Sequence, residues 1–317
     1  MACGQILYHA KLNYTDPKFA NASVAGEVAP GTNFRSDCIA YEVPMRNGRE
    51  ANANSAQEMI DTKGFALATL SAEEHNMINS VKATDIDHNE AKRSTYYNAL
   101  EKLVLRVYGG TYVRAFNFVL RQSDCLGVHT RPAGDNAPQG PVNDIHADFT
   151  PDAPAIAQIN SLGESLGLHG CRWAIINCWR NISQTPVQQW PMAVCDAKSV
   201  RAEDCVARAT PENGNLIYGM LPNDRHEWYT FPEMQEHEVL LFKQYDSEEG
   251  LARFTQHTAF DAPYAVPHPA TRHSVEVRVL CYFIDDGDDR RQSSALTEQV
   301  SIGKGLLAVD RSMRSRL

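Results

Sequence analysis

Two residues in one short stretch have the types and spacing of metal ligands. His146 and Asp148 lie within residues 143–150, a run that we interpret as a strand. Side chains two residues apart in a strand point to the same face, so the imidazole and the carboxylate would converge. With one distant histidine they would form the 2-His-1-carboxylate facial triad, which binds Fe(II) and leaves positions open for oxygen and substrates. The triplet alone also fits a polar strand end.

The second histidine of such a site must come from elsewhere in the chain. The candidates after Asp148 are His169, His226, His237, His257, His268 and His273. His257 lies in the β-favouring run 253–260, which can form a central strand. His268 lies between two prolines, which cannot donate ladder hydrogen bonds and which confine it to a loop or an edge. The sequence therefore favours His257.

A second group of polar residues lies at the start of a later predicted strand. Alternation places Arg272, Ser274, Glu276 and Arg278 on one face and valines on the other. An arginine fork beside a hydroxyl suits a carboxylate ligand. An iron enzyme that uses 2-oxoglutarate needs such a grip on the far carboxylate. Arg272 is preferred for this role, and Arg278, which could instead pair with Glu276 or another acid, is the alternative.

Periodicity and turn residues predict the elements that would position these side chains. Helices are predicted at 55–61, from residue 71, at 90–108 and at 155–168. Strands are predicted at 5–9, 64–70, 113–121, 144–149, 172–181, 190–195, 215–221, 228–232, 238–245, 253–260 and 274–284. The Gly-, Pro- and Asn-rich segment 26–54 is interpreted as surface loop. The predicted fold is α+β, mainly β: a double-stranded β-helix (jelly roll) with flanking helices.

The chain of 317 residues is predicted to form a single catalytic domain, 1–317. Within it, residues 1–110 form an N-terminal α/β preface packed on the barrel. Residues 111–284 form the jelly-roll core, and residues 285–317 form a C-terminal tail. The tail from residue 293 offers an arm for a homo-oligomer.

Composition excludes several classes of partner. A net charge of −9 without a concentrated basic stripe argues against nucleic acid and anionic membrane surfaces. No apolar run approaches the roughly 18 residues of a membrane span. The eight cysteines include no Cys-x-x-Cys and fit buried free thiols of a reducing compartment. We therefore expect a soluble, cytoplasmic protein with a small-molecule substrate.

Six ordered blocks of sequence resemble one known family. They are His-Ala-Asp-Phe-Thr-Pro at 146–151, Arg-Trp-Ala-Ile-Ile-Asn-Cys-Trp-Arg at 172–180, Pro-Val-Gln-Gln-Trp-Pro-Met-Ala-Val-Cys-Asp at 186–196, Glu-Val-Leu-Leu-Phe-Lys-Gln-Tyr-Asp-Ser at 238–247, Phe-Thr-Gln-His-Thr-Ala-Phe at 254–260 and Arg-His-Ser-Val-Glu-Val-Arg at 272–278. The set resembles the hydroxylase/desaturase family of fungal secondary-metabolite clusters, which is similar to the bacterial cephamycin methoxylation component. The resemblance covers roughly residues 64–284.

This resemblance implies a jelly-roll fold, Fe(II) and usually 2-oxoglutarate with O2 as cosubstrate. It puts the metal on His146, Asp148 and His257, and the cosubstrate carboxylate on Arg272 with Ser274 beside it. It predicts no catalytic residue beyond the metal ligands. One departure is the stretch from His257 to Arg272, which is longer than in other 2-oxoglutarate enzymes.

The same resemblance draws attention to Asn177 and Arg180 as polar contacts for cosubstrate or substrate. They lie on opposite faces of one predicted strand, because their parity differs. The sequence does not tell which face looks into the barrel, so both stay candidates. The bland alternative for each is a cross-strand pair or an arginine stacked on a tryptophan in the barrel wall.

The implied activity is hydroxylation or desaturation of a small, hydrophobic natural-product intermediate. Aromatic candidates for its pocket are Phe116, Phe118, Phe149, Trp173, Trp179 and Phe260, which fit equally well as core. Residues 130–141 are the candidate lid. Two alternatives remain: a metal-binding jelly-roll protein that acts as a non-catalytic partner subunit, and an iron oxidase that does not use 2-oxoglutarate.

Overall fold

The computed structural model describes residues 5–28, 32, 34–51, 53–82, 85–126, 137–211, 214–263 and 267–284. Thirteen strands in this part of the chain form two β-sheets. The strands are β1 (Ile6–Thr15), β2 (Cys38–Asn47), β3 (Phe65–Thr69), β4 (Tyr112–Gln122), β5 (His146–Ala147), β6 (Arg172–Asn181), β7 (Met192–Cys195), β8 (Cys205–Ala209), β9 (Leu216–Met220), β10 (Trp228–Thr230), β11 (Glu238–Asp246), β12 (His257–Ala259) and β13 (His273–Phe283).

The strand order interleaves distant parts of the chain. The larger sheet has eight strands in the order β1-β2-β10-β7-β12-β5-β9-β8, and the smaller has five in the order β3-β11-β6-β13-β4. Their inner faces meet, since the ring of Phe242 on β11 lies 4.6 Å from that of His257 on β12. This arrangement of two facing sheets agrees with the predicted double-stranded β-helix.

Four α-helices accompany the sheets: α1 (Ala56–Lys63), α2 (Ala72–Asn79), α3 (Glu90–Val107) and α4 (Pro154–Ser165). The sequence marks the starts of α1, α2 and α3, because the side chains of Ser55, Ser71 and Asn89 accept from amide groups that have no partner within the helix. Helix α4 has no such cap and begins with Pro154. Ser71 and Glu74 form a complete capping box on α2. Gly64 ends α1 in a left-handed conformation with φ 93°, which glycine adopts without strain.

Helix α3 covers the outer face of the five-stranded sheet. Its Leu100, Leu103 and Val104 are completely buried and belong to the same apolar cluster as Val275 and Val277 of β13. Each fully buried side chain of this size contributes about 1.5–3 kcal/mol. This packing leaves the opposite, inner face of the sheet for the polar residues of the strand.

Three strands come from the N-terminal segment that we described as a preface. β1 and β2 lie at one end of the eight-stranded sheet, and β3 lies at the edge of the five-stranded sheet. The interpretation of residues 26–54 as surface loop is therefore wrong in its second half. β2 pairs antiparallel with β1 and parallel with β10, so partners distant in sequence overrode its weak local strand signal. Strand β8 was not predicted either.

The two strands that carry the histidines are shorter than predicted. β5 has two residues and β12 has three. The flanking backbone groups bond to other segments: Ile145 donates to Asn13, and Thr255 donates to Lys243. Tertiary contacts thus replace the ladder that the β-favouring composition predicted. No helix in the described part of the chain is long and apolar enough to cross a membrane.

Candidate metal centre

Two neighbouring strands of the eight-stranded sheet bring the two histidines together. His146 on β5 lies directly opposite His257 on β12. Residues that oppose each other in an antiparallel pair have adjacent side chains on one face. The two imidazole centroids are 4.4 Å apart. Strand pairing therefore joins residues that are far apart in the sequence.

Asp148 completes the cluster from the bend that follows β5. Its Oδ1 lies 3.4 Å from Nε2 of His146. One ligand atom from each of His146, Asp148 and His257 lies within 4.8 Å of those of the other two. Both histidines are buried, and Asp148 is nearly so. Among the residues with described coordinates, this is the single group of three or more His, Cys, Asp or Glu side chains with that geometry.

Backbone carbonyls fix the orientation of both imidazoles. Nδ1 of His146 lies 2.8 Å from the carbonyl oxygen of Asp144, and Nδ1 of His257 lies 3.0 Å from that of Thr255. A carbonyl only accepts, so each Nδ1 must carry the proton and donate it. Each neutral ring then has its lone pair on Nε2. Two nitrogen lone pairs and one carboxylate consequently converge, which is a donor set that requires a cation.

Burial and neighbouring charges act in opposite directions on these groups. Burial lowers the pKa of His146, but the nearby Asp148 carboxylate outweighs this and the net shift is upward. Burial raises the pKa of Asp148, yet Arg278 and the histidines hold it well below its usual range. Burial, reinforced by His146, lowers the pKa of His257 to about 4. Near neutral pH, Asp148 is a carboxylate and His257 a neutral imidazole, as metal ligands must be.

Three charged residues lie on the inner face of β13 or directly before that strand, and two of them, Glu276 and Arg278, are already paired. Arg278 donates from Nη2 to Oδ2 of Asp148 over 2.7 Å, and from Nη1 to Oδ1 of Asn117 over 2.8 Å. Glu276 accepts from Nε of Arg121. Arg278 therefore pairs with the aspartate of the cluster and not with Glu276.

Arg272 is the third of these charges, and it is buried with unpaired donors. Its Nη1 donates to the carbonyl of Trp190, but its Nε and Nη2 have no partner in the described structure, and neither does Oγ of Ser274. Burial, with repulsion from Arg121, lowers the pKa of Arg272 to about 9. A buried cation with free N–H groups beside a free hydroxyl is suited to binding a carboxylate.

Asn177 and Arg180 lie on opposite faces of β6, and the structure distinguishes them. Asn177 is completely buried on the inner face; its Nδ2 lies 3.4 Å from Glu276, and its Oδ1 has no partner among the described residues. Arg180 points outward, where it donates to the carbonyl of Glu236 and to the hydroxyl of Tyr96 on α3. Arg180 is thus not brought to the cluster, because its face of β6 packs against the helices.

The chain matches known proteins over most of its length. The family model described as "Oxidoreductase/YMDC permease-like domain" matches residues 7–282. The hydroxylase/desaturase efuI of Hormonema carpetanum is 30% identical over 257 residues, which are 74% of this chain and 82% of that protein. The chain belongs to the hydroxylase/desaturase family. This confirms the resemblance inferred from the six sequence blocks.

Two further known proteins match most of this chain. The alpha-ketoglutarate-dependent dioxygenase phiK of a fungal species is 30% identical over 267 residues, 77% of this chain and 95% of that protein. A solved structure of the iron and alpha-ketoglutarate-dependent endoperoxidase NvfI superposes with a TM-score of 0.69 at 20% identity, covering 89% of this chain and 99% of that one. The fold of this chain is therefore that of NvfI.

Sequence reasoning missed three residues near the metal cluster. They are Asn117, Arg121 and Phe242. Asn117 and Arg121 belong to β4, a strand rich in apolar residues, and a polar side chain in such a strand is a usable signal. Phe242 lies in an apolar strand that gives no hint of which ring touches His257.

Two other predictions have limited counterparts in the structure. Most of the predicted lid, residues 130–141, lies outside the described residues. The six aromatic residues predicted for the pocket are all buried, but they are divided among three apolar clusters. Two of them contact charged residues of the candidate site: the Phe149 ring lies 5.7 Å from the guanidinium of Arg278, and the Trp179 ring lies 5.7 Å from that of Arg272. The others are core residues in this fold.

Proposed function

We propose that this protein is an Fe(II)- and 2-oxoglutarate-dependent oxygenase that hydroxylates or desaturates a small natural-product intermediate of secondary metabolism. His146, Asp148 and His257 would hold the iron. Arg272 and Ser274 would hold the far carboxylate of 2-oxoglutarate. The observation that carries the proposal is the convergence of two Nε2 lone pairs and one carboxylate on a single point.

The donor set fits Fe(II) better than other common metals. Two neutral imidazoles and one carboxylate on one side of the ion are typical of non-haem iron oxygenases, whereas closed zinc sites use four ligands and often cysteine. Cys178, Cys195 and Cys281 are buried elsewhere, and none belongs to the cluster. The backbone acceptors of Asp144 and Thr255 are the outer partners that keep ligating imidazoles in place.

The unpaired donors of Arg272 and Ser274 fit the cosubstrate carboxylate. Two unpaired guanidinium N–H groups and the Ser274 hydroxyl offer donors to both oxygens of a carboxylate. Arg278 is a weaker candidate for this role, because both of its Nη groups are engaged by Asp148 and Asn117. The Arg272 guanidinium also lies 5.7 Å from the ring of Trp179, but this contact leaves Nε and Nη2 without hydrogen-bond partners among the described residues. These buried donors favour the use of 2-oxoglutarate over a protein that only binds metal and over an iron oxidase without 2-oxoglutarate.

When bound, Fe(II) and 2-oxoglutarate would supply the O2 activation that is needed to break a C–H bond of the substrate. The chain's own residues bind and orient. Arg272 fixes the cosubstrate at its far end, and the histidines are held by backbone carbonyls, so little reorganisation accompanies binding. Phe242, packed on His257, excludes water from that side of the cluster.

The substrate is predicted to be small and hydrophobic. The unpaired Oδ1 of Asn177, buried on the inner face, would accept a hydrogen bond from a hydroxyl or amide of the substrate or cosubstrate. The net charge of −9 does not favour nucleic acid or anionic membranes as partners. Cytoplasmic location, a homo-oligomer and the three-part division of the single domain remain predictions.

Succinate formation from 2-oxoglutarate by anaerobically reconstituted protein, followed after admission of O2, tests the proposal. We expect turnover that requires Fe(II) and that is lost in His146→Ala and Asp148→Ala. Full turnover in both variants would exclude the site. Metal binding without succinate would instead favour the non-catalytic alternative.

A second pair of variants tests the cosubstrate assignment. Arg272→Lys loses the bidentate fork, so we expect the KM for 2-oxoglutarate to rise by about 10- to 100-fold, as for the loss of one charge-assisted bond. Arg180→Lys is the matched control: a buried arginine of the same sheet on the opposite face. An unchanged KM in Arg272→Lys, or an equal rise in both variants, would reject Arg272.

A further inference from the structure

The two carboxylate oxygens of Asp148 have different surroundings. Oδ2 accepts a hydrogen bond of 2.7 Å from Nη2 of Arg278. Oδ1 faces the cluster, 3.4 Å from Nε2 of His146. The side chains of Asp148 and Arg278 are only 13% and 10% exposed, so water screens this pair weakly. One carboxylate oxygen thus binds Arg278, and the other faces the point where the two imidazoles converge.

Arg278 is itself held in place from the other side. Its Nη1 donates to Oδ1 of Asn117 over 2.8 Å, and its guanidinium lies over the ring of Phe149 at 5.7 Å. Asn117 pairs with Arg278 directly across β4 and β13, next to an irregularity in the register of that pair. Such bulges re-aim side chains near functional sites.

The contact also connects the two sheets. Arg278 belongs to β13 of the five-stranded sheet, whereas Asp148 follows β5 of the eight-stranded sheet. Both histidines of the cluster belong to neighbouring strands of the eight-stranded sheet. Asp148 lies in a bend, where fewer ladder bonds restrain it, and the hydrogen bond from the facing sheet supplies that restraint.

We infer that Arg278 is a positioning residue that restricts Asp148 to a single metal bond through Oδ1. The inference rests on the proposed function. A carboxylate with both oxygens free can bind a metal through both and would then occupy a position that cosubstrate or O2 needs. With Oδ2 committed to the guanidinium, that mode is closed and the open face of the metal is preserved.

Equilibrium binding of Fe(II) under anaerobic conditions tests the first half of this inference. Arg278→Met and Arg278→Gln remove the fork, and we expect Fe(II) to bind about 10- to 100-fold more weakly, the usual effect of losing an outer-shell partner. Removing a cation beside the ligands, or freeing Oδ2 for a second metal bond, would instead tighten binding, and the nitric oxide experiment separates these two effects. Unchanged Fe(II) binding in both variants would overturn this half of the inference.

The open coordination position is tested separately with nitric oxide, which binds Fe(II) where O2 would and gives a characteristic electron paramagnetic resonance signal. With 2-oxoglutarate bound and Fe(II) saturating, we expect nitric oxide to bind Arg278→Met more weakly than wild type. Unchanged nitric oxide affinity would show that Asp148 does not take a second position, and would overturn this half.

Matched variants separate positioning from general damage. Arg225→Gln removes another arginine that pairs with a buried aspartate, Asp204, away from the cluster, and it should leave Fe(II) affinity unchanged. Asn117→Ala keeps Arg278 but removes its anchor, so a smaller loss in the same direction is expected. Arg278→Lys keeps the positive charge without the guanidinium fork, and it provides a second test should the other two variants misfold. If the wild type bound no Fe(II), the proposed function itself would fail. If the wild type bound Fe(II) and the Arg278 variants bound Fe(II) and nitric oxide as the wild type does, the inference alone would fail.

Discussion

Two regions of the molecule hold the same three residue types at nearly the same distances. In the metal cluster, Nε2 of His146 lies 3.4 Å from Asp148, which is paired with Arg278. In a second region, which we call the internal triad, Nε2 of His226 lies 3.2 Å from Asp204, which is paired with Arg225. Residue type and proximity therefore do not distinguish a ligand set from a structural network.

Hydrogen bonds to the other atoms make the difference. His226 has Nδ1 3.2 Å from the Tyr14 hydroxyl, which can donate, so its proton can lie on Nε2 and be donated to Asp204. Both oxygens of Asp204 accept from Arg225, and Oδ2 also accepts from the amide of Arg201. Both ring nitrogens of His226 and both oxygens of Asp204 thus have hydrogen-bond partners within the protein.

The metal cluster differs in the acceptor that each histidine faces. His146 and His257 must donate from Nδ1 to backbone carbonyls, so both present lone pairs to Asp148. A second imidazole, absent from the internal triad, completes the set. In this protein the two His–Asp pairs therefore differ in the partner of the far nitrogen, which is a carbonyl in the metal cluster and a hydroxyl in the internal triad.

The largest difference is expected between two single variants, one that replaces a histidine of the metal cluster and one that replaces the histidine of the internal triad. His257→Ala should weaken Fe(II) binding by more than about 100-fold, beyond the loss typical of outer-shell residues. His226→Ala should leave Fe(II) binding intact, because its nitrogens serve Asp204 and Tyr14. Anaerobic titration with Fe(II) measures both. Equal losses in the two variants would erase the distinction between the regions.

A smaller effect, on stability alone, is expected in the internal triad. Asp204→Asn removes a buried acceptor that pairs with Arg225 and His226, so the free energy of unfolding should fall by about 2–3 kcal/mol, as for the loss of charged hydrogen bonds. Denaturant unfolding with matched m-values measures this change. Fe(II) affinity of the folded variant should match wild type, and a weakened affinity would mean that the two regions are coupled.

The smallest effect concerns pH. Burial lowers the pKa of His226 below its ordinary 6.5. The hydrogen bond to Asp204 raises this pKa and the charge of Arg225 lowers it, but the net shift is downward. The unfolded chain therefore takes up the proton first as pH falls, so the His226 contribution to stability is lost below pH 6.5. The difference in unfolding free energy between wild type and His226→Asn should shrink by at most about 1.4 kcal/mol per pH unit. A difference that grew on acidification would contradict a neutral His226.

Local signals in the sequence predicted much of the scaffold. β6 has the predicted bounds, 172–181, because a long run of β-favouring residues ends at turn residues. The start of α2 follows from Ser71 and Glu74, which form a capping box within one turn. The His-x-Asp spacing and the six family blocks were also readable, since each depends on residues close together in the chain.

Other features depended on partners distant in sequence. β2 has a weak local strand signal and exists because β1 and β10 flank it. Both faces of β6 are buried, so alternation alone could not tell that Asn177 faces the cluster while Arg180 faces α3.

The sequence by itself determined which side chains could bind a metal and the family to which the chain belongs. Only the tertiary structure decided which lone pairs are free to do so. That choice rests on whether a histidine's far nitrogen meets a carbonyl, as His257 meets Thr255, or a hydroxyl, as His226 meets Tyr14. Strand register across two sheets sets these contacts, and no local pattern of residues encodes it.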